Sequence, residues 1–222
     1  MTREKLINAQ NISIHLFKVI EESNLIQAGK SEEQLCLEIC DLALKVFGIE
    51  KHWHKKIVRS GKNTLAIYLD NPPNREIIED DILFIDLGPV VDGYEADIGR
   101  TYVLGLSPEK WQLKNDVEKA WYEIQKWYHS QDTVKASVLF AYVATKAKEY
   151  GWEFAGEIAG HIVGKFPHEQ PPDPKSLELD IHPDNHNDMS LLDADGNERH
   201  WILELQFIDK RRQIGAYFEQ LL

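Results

Sequence analysis

Apolar residues recur at helical spacing through the first fifth of the chain and then give way to strand-like runs. Leu6, Ile7, Ile12, Ile14, Leu16, Phe17 and Ile20 predict a helix over about residues 3–24. Ser31-Glu32-Glu33-Gln34 has the form of a capping box and Gly48 that of a stop, so a second helix is expected between them. Strands dominate from about residue 56 to 104. Ser107-Pro108 sets an N-cap ahead of a proline in the first turn and opens a helix to about residue 128. A further helix runs over 133–150 and is closed by Gly151. Helices and hairpins mix without regular βαβ alternation, which predicts an α+β fold. No linker, repeat or low-complexity tract interrupts the 222 residues, so a single domain over 1–222 is expected.

Two segments break the apolar pattern of the strands with acids. Phe84-Ile85-Asp86-Leu87-Gly88 and Tyr94-Glu95-Ala96-Asp97-Ile98-Gly99-Arg100-Thr101 flank Asp92-Gly93, the strongest short-range hairpin signal. A turn centred there sets Gly88 opposite Asp97, so Asp86 and Asp97 become diagonal neighbours roughly 7–8 Å apart at the backbone. The construction recurs near the C-terminus. Trp201-Ile202-Leu203-Glu204-Leu205-Gln206-Phe207 and Ile214-Gly215-Ala216-Tyr217-Phe218-Glu219-Gln220-Leu221 are joined by a polar run. A turn centred on Arg211-Arg212 sets Glu204 directly across from Glu219. A single such acid is as well explained by a protonated or salt-bridged core carboxylate. Four acids in two matched hairpins, with nearby basic residues mostly in turns, point instead to bound cations.

Composition narrows the class. Hydrophobic residues make up 43% of the chain, enough for a full core. The net charge of −12 argues against nucleic acid or an anionic membrane as main partner. No apolar run has membrane-spanning length, and Met1-Thr2-Arg3-Glu4-Lys5 lacks the apolar region of a secretory signal, so a cytoplasmic location is expected. Cys36 and Cys40, four apart among apolar residues, read as small buried hydrophobes.

An imidazole added to the acids would shift preference toward Mn, Fe, Co or Zn. His161, in Ala159-Gly160-His161-Ile162-Val163-Gly164, is the best candidate, and His168 follows it. Spacing alone leaves both open between a ligand and an ordinary core or surface histidine. The basic stretch Lys51-His52-Trp53-His54-Lys55-Lys56-Ile57-Val58-Arg59 reads as a solvated edge strand guarded by lysines, with a substrate-carboxylate site as the alternative. Residues 168–200, with His182, His186 and Asp188, read as a solvated loop near a site mouth rather than a further metal site. Asp193-Ala194-Asp195-Gly196-Asn197 resembles the start of an EF-hand loop, but Glu198 stands where the required glycine belongs, so it reads as a turn.

These residues together resemble the pita-bread metallopeptidase superfamily of methionine aminopeptidases, prolidases, aminopeptidases P and creatinase. That family's five ligands, in the order Asp, Asp, His, Glu, Glu, match Asp86, Asp97, His161, Glu204 and Glu219 in local context. The resemblance implies a curved, mostly antiparallel sheet covered by helices. It also implies two divalent metal ions (Mn, Co, Fe or Zn), with Asp97 and Glu219 bridging, Asp86 on one ion, and His161 with Glu204 on the other. His168 matches a family histidine that contacts the substrate or the tetrahedral intermediate. Two departures stand out. The family histidine expected after Ser60-Gly61-Lys62-Asn63-Thr64 falls at Tyr68, a weaker proton donor that keeps a substrate-binding role here, and the proline after the fourth ligand is Leu205. The separate N-terminal domain of prolidases does not precede the resemblance in this sequence.

The expected activity is metal-dependent hydrolysis of small peptides by a water activated between the ions, as in an aminopeptidase or Xaa-Pro-type dipeptidase. Glu204 is the expected acceptor of the water's proton, and His168 the group that steadies the oxyanion. A peptide or small amide is the expected partner, and a homodimer is left open. Two alternatives stand beside this reading. One is a related hydrolase acting on a non-peptide C–N bond, motivated by Tyr68. The other is a non-catalytic pita-bread binding module, which the five intact ligand positions disfavour.

Overall fold

A computed structural model describes residues 2–171, 173 and 175–222. Among the described residues, helices α1 (Thr2–Glu22) and α2 (Glu32–Phe47) precede strand β1 (Ile57–Ser60) and a single 3-10 turn, Gly61–Leu65. Then come β2 (Ile82–Leu87), β3 (Val90–Val91), β4 (Tyr94–Glu95), β5 (Ile98–Val103), α3 (Pro108–His129) and α4 (Ala136–Glu149). The chain continues through β6 (Glu153–Phe154), β7 (Ile162–Val163), β8 (His200–Asp209) and β9 (Ile214–Leu221). The main sheet is antiparallel in the order β1-β2-β5-β9-β8-β6, with β7 added on β8.

Alternation along each strand sorts side chains to two faces. Leu83, Ile85, Leu87 and Ile98 pack against Leu16, Ile20, Leu35 and Ile39 of α1 and α2. Leu203, Leu205, Phe207, Ala216 and Phe218 pack against Leu113, Trp121, Ile124 and Leu139 of α3 and α4. All four helices therefore cover one face. The residues between these positions, Asp86, Glu204 and Glu219, are turned to the other.

The hairpins form as the turn signals require. Asp92 and Gly93 both have positive φ, +50° and +78°, the conformation of a tight two-residue hairpin turn. Val91 pairs with Tyr94 and Val90 with Glu95, and the same register continues into β2 and β5, where Asp86 faces Gly99. In the second hairpin Asp209 Oδ1 accepts from Arg211 N and Arg212 N, closing the turn, and Glu204 lies directly across from Glu219.

The two hairpins meet on a narrow seam. β5 and β9 share the backbone pair Gly99 and Glu219. Beside it Thr101 Oγ1 donates to Tyr217 O (2.9 Å) and accepts from Tyr217 N (2.7 Å), so a side chain stands in for a rung of the ladder. Arg100 Nη1 donates to Gly99 O and Glu219 O, both at 2.8 Å, and Nη2 reaches Gln220 Oε1.

Helix boundaries differ from the expected ones where tertiary contacts compete. Ser31 Oγ does cap α2, accepting from Gln34 N, and Gly48 ends it with φ +67°. Ser107 makes no side-chain cap on α3. The helix expected at 133 starts only at Ala136, because Val134 and Lys135 pair with the 185–189 loop (Met189 N to Val134 O, 2.9 Å). Ile7 and Ile14 lie 40% and 39% exposed, off the buried stripe of α1. Residues 51–56 are not an edge strand; they form a loop tied under the sheet by Trp53 N to Gly88 O and Val90 N to Lys51 O. Cys36 and Cys40 are half-buried free thiols. The 168–200 stretch is mostly loop, and its Pro172 and Pro174 lie outside the described residues.

Glu32, in the first turn of α2, is a buried carboxylate. Its Oε1 accepts from Ser60 N and Ser60 Oγ, and Oε2 accepts from Asn63 Nδ2. It anchors the Ser60–Asn63 corner that leads toward Tyr68. Glu32→Ala strands Ser60 N and Ser60 Oγ, removes one of two bonds from Asn63 Nδ2, and is expected to lower unfolding free energy by about 3 kcal/mol, measured by urea denaturation of the purified protein.

Candidate metal centre

The acid-bearing face converges on one end of a cavity of about 480 Å³. Asp86 enters from β2 and Asp97 from just ahead of β5. Glu204 and Glu219 enter from the paired positions of β8 and β9. His161 sits just before β7, where the backbone runs against β8: Ile202 N donates to His161 O (2.7 Å) and Glu204 N to Ala159 O (3.1 Å). Gly160 makes this approach possible. It has φ +137°, and a Cβ there would lie 1.9 Å from Ile202 O.

The five side chains come together as one cluster. His161 Nε2 lies 3.2 Å from Asp97 Oδ2. Ligand atoms of Asp97, His161 and Glu219 all lie within 4.8 Å of one another. Tyr217 OH donates to Glu204 Oε2 at 2.7 Å and holds that carboxylate against the sheet. Asp86, Asp97 and Glu219 are 5%, 3% and 1% exposed, so water screens their charges little.

The electrostatics are those of a site built for cations. Burial, followed by the neighbouring carboxylates, pushes Glu219 well above the usual carboxylate range. Burial likewise raises Asp86 to about 7, although His54 opposes the shift, and it raises Glu204. Burial also disfavours the charged form of Asp97. The charge and hydrogen bonds of His54 and His161 outweigh that, and Asp97 falls well below its ordinary value. Burial works against a charged His161, but its hydrogen bond to Asp97 and the charges of Asp97 and Glu204 carry it up to about 9. Among the described residues the ion-pair partners of Asp86 and Asp97 are histidines, and none is a lysine or arginine. Asp86 Oδ1 and Glu219 Oε2 are buried and have no hydrogen-bond partner among the described residues. Bare carboxylate oxygens in a desolvated cluster fit divalent ions and little else.

His168 and Tyr68 also line the cavity. His168 Nδ1 lies 2.8 Å from Glu95 Oε2 and its backbone N donates to Glu95 Oε1 at 3.0 Å. A carboxylate only accepts, so Nδ1 carries the proton and Nε2 is left for a ligand. Tyr68 is 49% exposed at the cavity rim, its ring 6.2 Å from that of His54. His182, His186 and Asp188 do not assemble into a ligand group among the described residues; His186 Nδ1 instead meets Ser137 Oγ.

Two residues with structural claims on the site were not singled out from the sequence. Glu95 is 1% exposed and accepts from Gly164 N and from His168. Strand alternation carried the signal, since Glu95 shares its face with Asp97. His54 lies in the loop read as a solvated edge, yet its ring is buried between Asp86 and Asp97. Local sequence carried no comparable signal for it, because the path of residues 51–56 is set by contacts with the hairpin.

A model of metallopeptidase family M24 matches residues 4–192. The chain belongs to this family. It is 29% identical over 149 residues to a Xaa-Pro dipeptidase of Pyrococcus horikoshii, covering 66% of this chain and 41% of that protein. It is 30% identical over 119 residues to a methionine aminopeptidase of Helicobacter pylori, covering 51% of this chain and 45% of that one. The chain thus spans about two fifths of the length of the curated relatives it matches. Among solved structures, a prolidase from Thermococcus sibiricus superposes with TM-score 0.74 and 25% identity, covering 98% of this chain and 55% of that one. A methionine aminopeptidase from Rickettsia prowazekii shares the fold at TM-score 0.69 and 13% identity, covering 100% of this chain and 93% of that one. The chain therefore has the fold of the M24 metallopeptidase family, an antiparallel sheet covered by helices, and a family whose members hold divalent metal ions fits its buried His/Asp/Glu clusters. No helix among the described residues is long and apolar enough to cross a membrane. The family match ends at residue 192, and Glu204 and Glu219 beyond it are brought to the cluster by the β8–β9 pairing.

Glu95→Gln replaces one acceptor oxygen with an NH₂ group facing buried donors. It is expected to lower stability by about 1–3 kcal/mol in chemical denaturation. It should also release His168, which a change in the His168 ring signals by NMR would register.

Proposed function

We propose that this chain is a dinuclear metal-dependent aminopeptidase or Xaa-Pro-type dipeptidase acting on small peptides. The observation that carries the reading is the convergence of four carboxylates and His161 at one end of the cavity, with Asp86 Oδ1 and Glu219 Oε2 accepting no hydrogen bond among the described residues. Asp86, Asp97 and Glu219 would hold one ion, and Asp97, His161, Glu204 and Glu219 the other. Bound there, divalent ions (Mn, Co, Fe or Zn) supply water activation near neutral pH and polarisation of the scissile carbonyl.

The chain's own groups divide the remaining work. Glu204, raised above its ordinary range by burial, is suited to take a proton from the attacking water and return it to the leaving amine. Tyr217 OH fixes the orientation of that carboxylate. His168, anchored through Nδ1 on Glu95, offers Nε2 to the oxygen that gains charge. The acidic end of the cavity attracts a free α-amine. The walls around Trp53, Ile57, Phe84 and Leu69 take apolar side chains in a volume suited to a di- or tripeptide.

Tyr68 favours a second reading, a hydrolase of small non-peptide amides. A half-exposed phenol, pushed further up by desolvation, is a poor proton donor to a peptide leaving group. Parallel assays on X-Pro dipeptides, Met-X peptides and non-peptide amides separate the two; cleavage confined to the last class would overturn the peptidase assignment.

Chelator treatment is expected to abolish hydrolysis, and Mn²⁺ or Co²⁺ to restore it. Metal analysis of the reconstituted wild type should give at least one tightly bound ion per chain, and Asp97→Ala should lose both metal and activity. His168→Ala should lower kcat by roughly 10²–10³ with metal content unchanged, the loss typical of removing one oxyanion donor.

A further inference from the structure

We propose that His54 is a sixth metal ligand, supplying an imidazole to the ion held by Asp86 and Asp97; the inference rests on the dinuclear reading above. His54 reaches the cluster from the loop before β1, and its side chain is 6% exposed. Its Nε2 lies 3.0 Å from Asp97 Oδ1 and 3.6 Å from Asp86 Oδ1. The second of these is an oxygen that accepts no hydrogen bond.

The geometry mirrors that of His161 atom by atom. His161 Nδ1 lies 2.9 Å from the carbonyl of the next residue, Ile162, and its Nε2 faces Asp97 Oδ2. His54 Nδ1 lies 2.7 Å from the carbonyl of the next residue, Lys55, and its Nε2 faces Asp97 Oδ1. A carbonyl only accepts, so in both rings Nδ1 carries a proton and Nε2 is the atom aimed at the carboxylates; an ion seated among them would take the place of the Nε2 proton and meet that nitrogen's lone pair. Metal-ligating histidines almost always donate their other ring N–H to a carbonyl or carboxylate, and His54 does so as His161 does. Each oxygen of Asp97 thus has its own imidazole, one for each side of the bridge.

The surrounding structure is shaped to keep His54 there. Trp53 N donates to Gly88 O (2.8 Å) and Trp53 Nε1 to Ala96 O (3.0 Å), pinning the loop on both sides of the hairpin that carries the aspartates. Gly88 leaves room for the ring: a Cβ at that position would lie 2.1 Å from His54 Cδ2 and 2.6 Å from Trp53 Nε1. A nitrogen donor on the otherwise all-oxygen side shifts that ion's preference away from Mg²⁺ and toward Co²⁺, Fe²⁺ or Zn²⁺.

X-ray absorption on the full chain loaded with two equivalents of Zn²⁺ tests this without any variant. Two imidazoles shared by two ions are expected; one imidazole per two ions overturns the assignment. Titration calorimetry with Zn²⁺ gives the second measurement. His54→Ala should weaken one of the two binding events by at least roughly tenfold and leave the other in place. Gly88→Ala, which crowds the ring while keeping the histidine, should act in the same direction. Unchanged affinities in a folded His54→Ala variant would overturn the proposal. Wild type that binds fewer than two ions per chain overturns the dinuclear reading itself, whereas two ions with a single imidazole defeats only the role of His54.

Discussion

Side-chain parity in two antiparallel hairpins is the constraint from which the rest of this molecule follows. Leu83, Ile85, Leu87, Leu203, Leu205 and Phe207 must face the helices, and the acids between them are thereby committed to the opposite face. A slip of one residue in either hairpin would drive Asp86 or Glu204 into the apolar layer and bring leucines to the cavity. The helices therefore act on the site at a distance. By burying one side of the sheet they hold four carboxylates together on the other, a grouping that mutual repulsion would otherwise disperse.

That grouping is costly by itself. Asp86, Glu204 and Glu219 are all harder to ionise than free carboxyls, chiefly because they are removed from water. Two histidines relieve Asp97, while among the described residues Asp86 Oδ1 and Glu219 Oε2 accept no hydrogen bond. Cations that neutralise the cluster bind the folded chain and not the unfolded one, so their binding free energy adds to that of folding. Trp53 contributes to the same balance. Its ring packs edge-on to His54, His161 and His168 at 4.6–5.3 Å and joins the three imidazoles in one aromatic cluster.

What could be read from the chain, and what could not, divides along the range of the interactions involved. Asp92-Gly93 and the polar run 209–213 are local turns, and a turn of known length dictates which residues face each other. The pairing of Glu204 with Glu219 and the diagonal of Asp86 and Asp97 were accessible for that reason. The joining of the two hairpins into one sheet came only through the family resemblance, since the β5–β9 contact spans more than a hundred residues. Glu95 was within reach of strand alternation but passed unremarked beside the more conspicuous Asp97. His54 belonged to a lysine-rich stretch whose composition favoured solvent, and only the backbone bonds to Gly88 and Pro89 fold that stretch inward. The late start of α4 has the same origin, a loop competing for backbone donors.

The junction between β5 and β9 bears on how finely the centre can be adjusted. One half of the cluster rides on the first hairpin and the other half on the second, yet the halves share little continuous backbone ladder. A threonine hydroxyl and an arginine fork, both bonded to backbone rather than to the cavity's carboxylates, bridge them. The spacing across the acid cluster is thereby governed by groups other than the carboxylates themselves. Changes at Thr101 or Arg100 would reset that interval while every coordinating atom stayed chemically the same, which gives evolution a means of tuning reactivity that leaves the ligand set untouched.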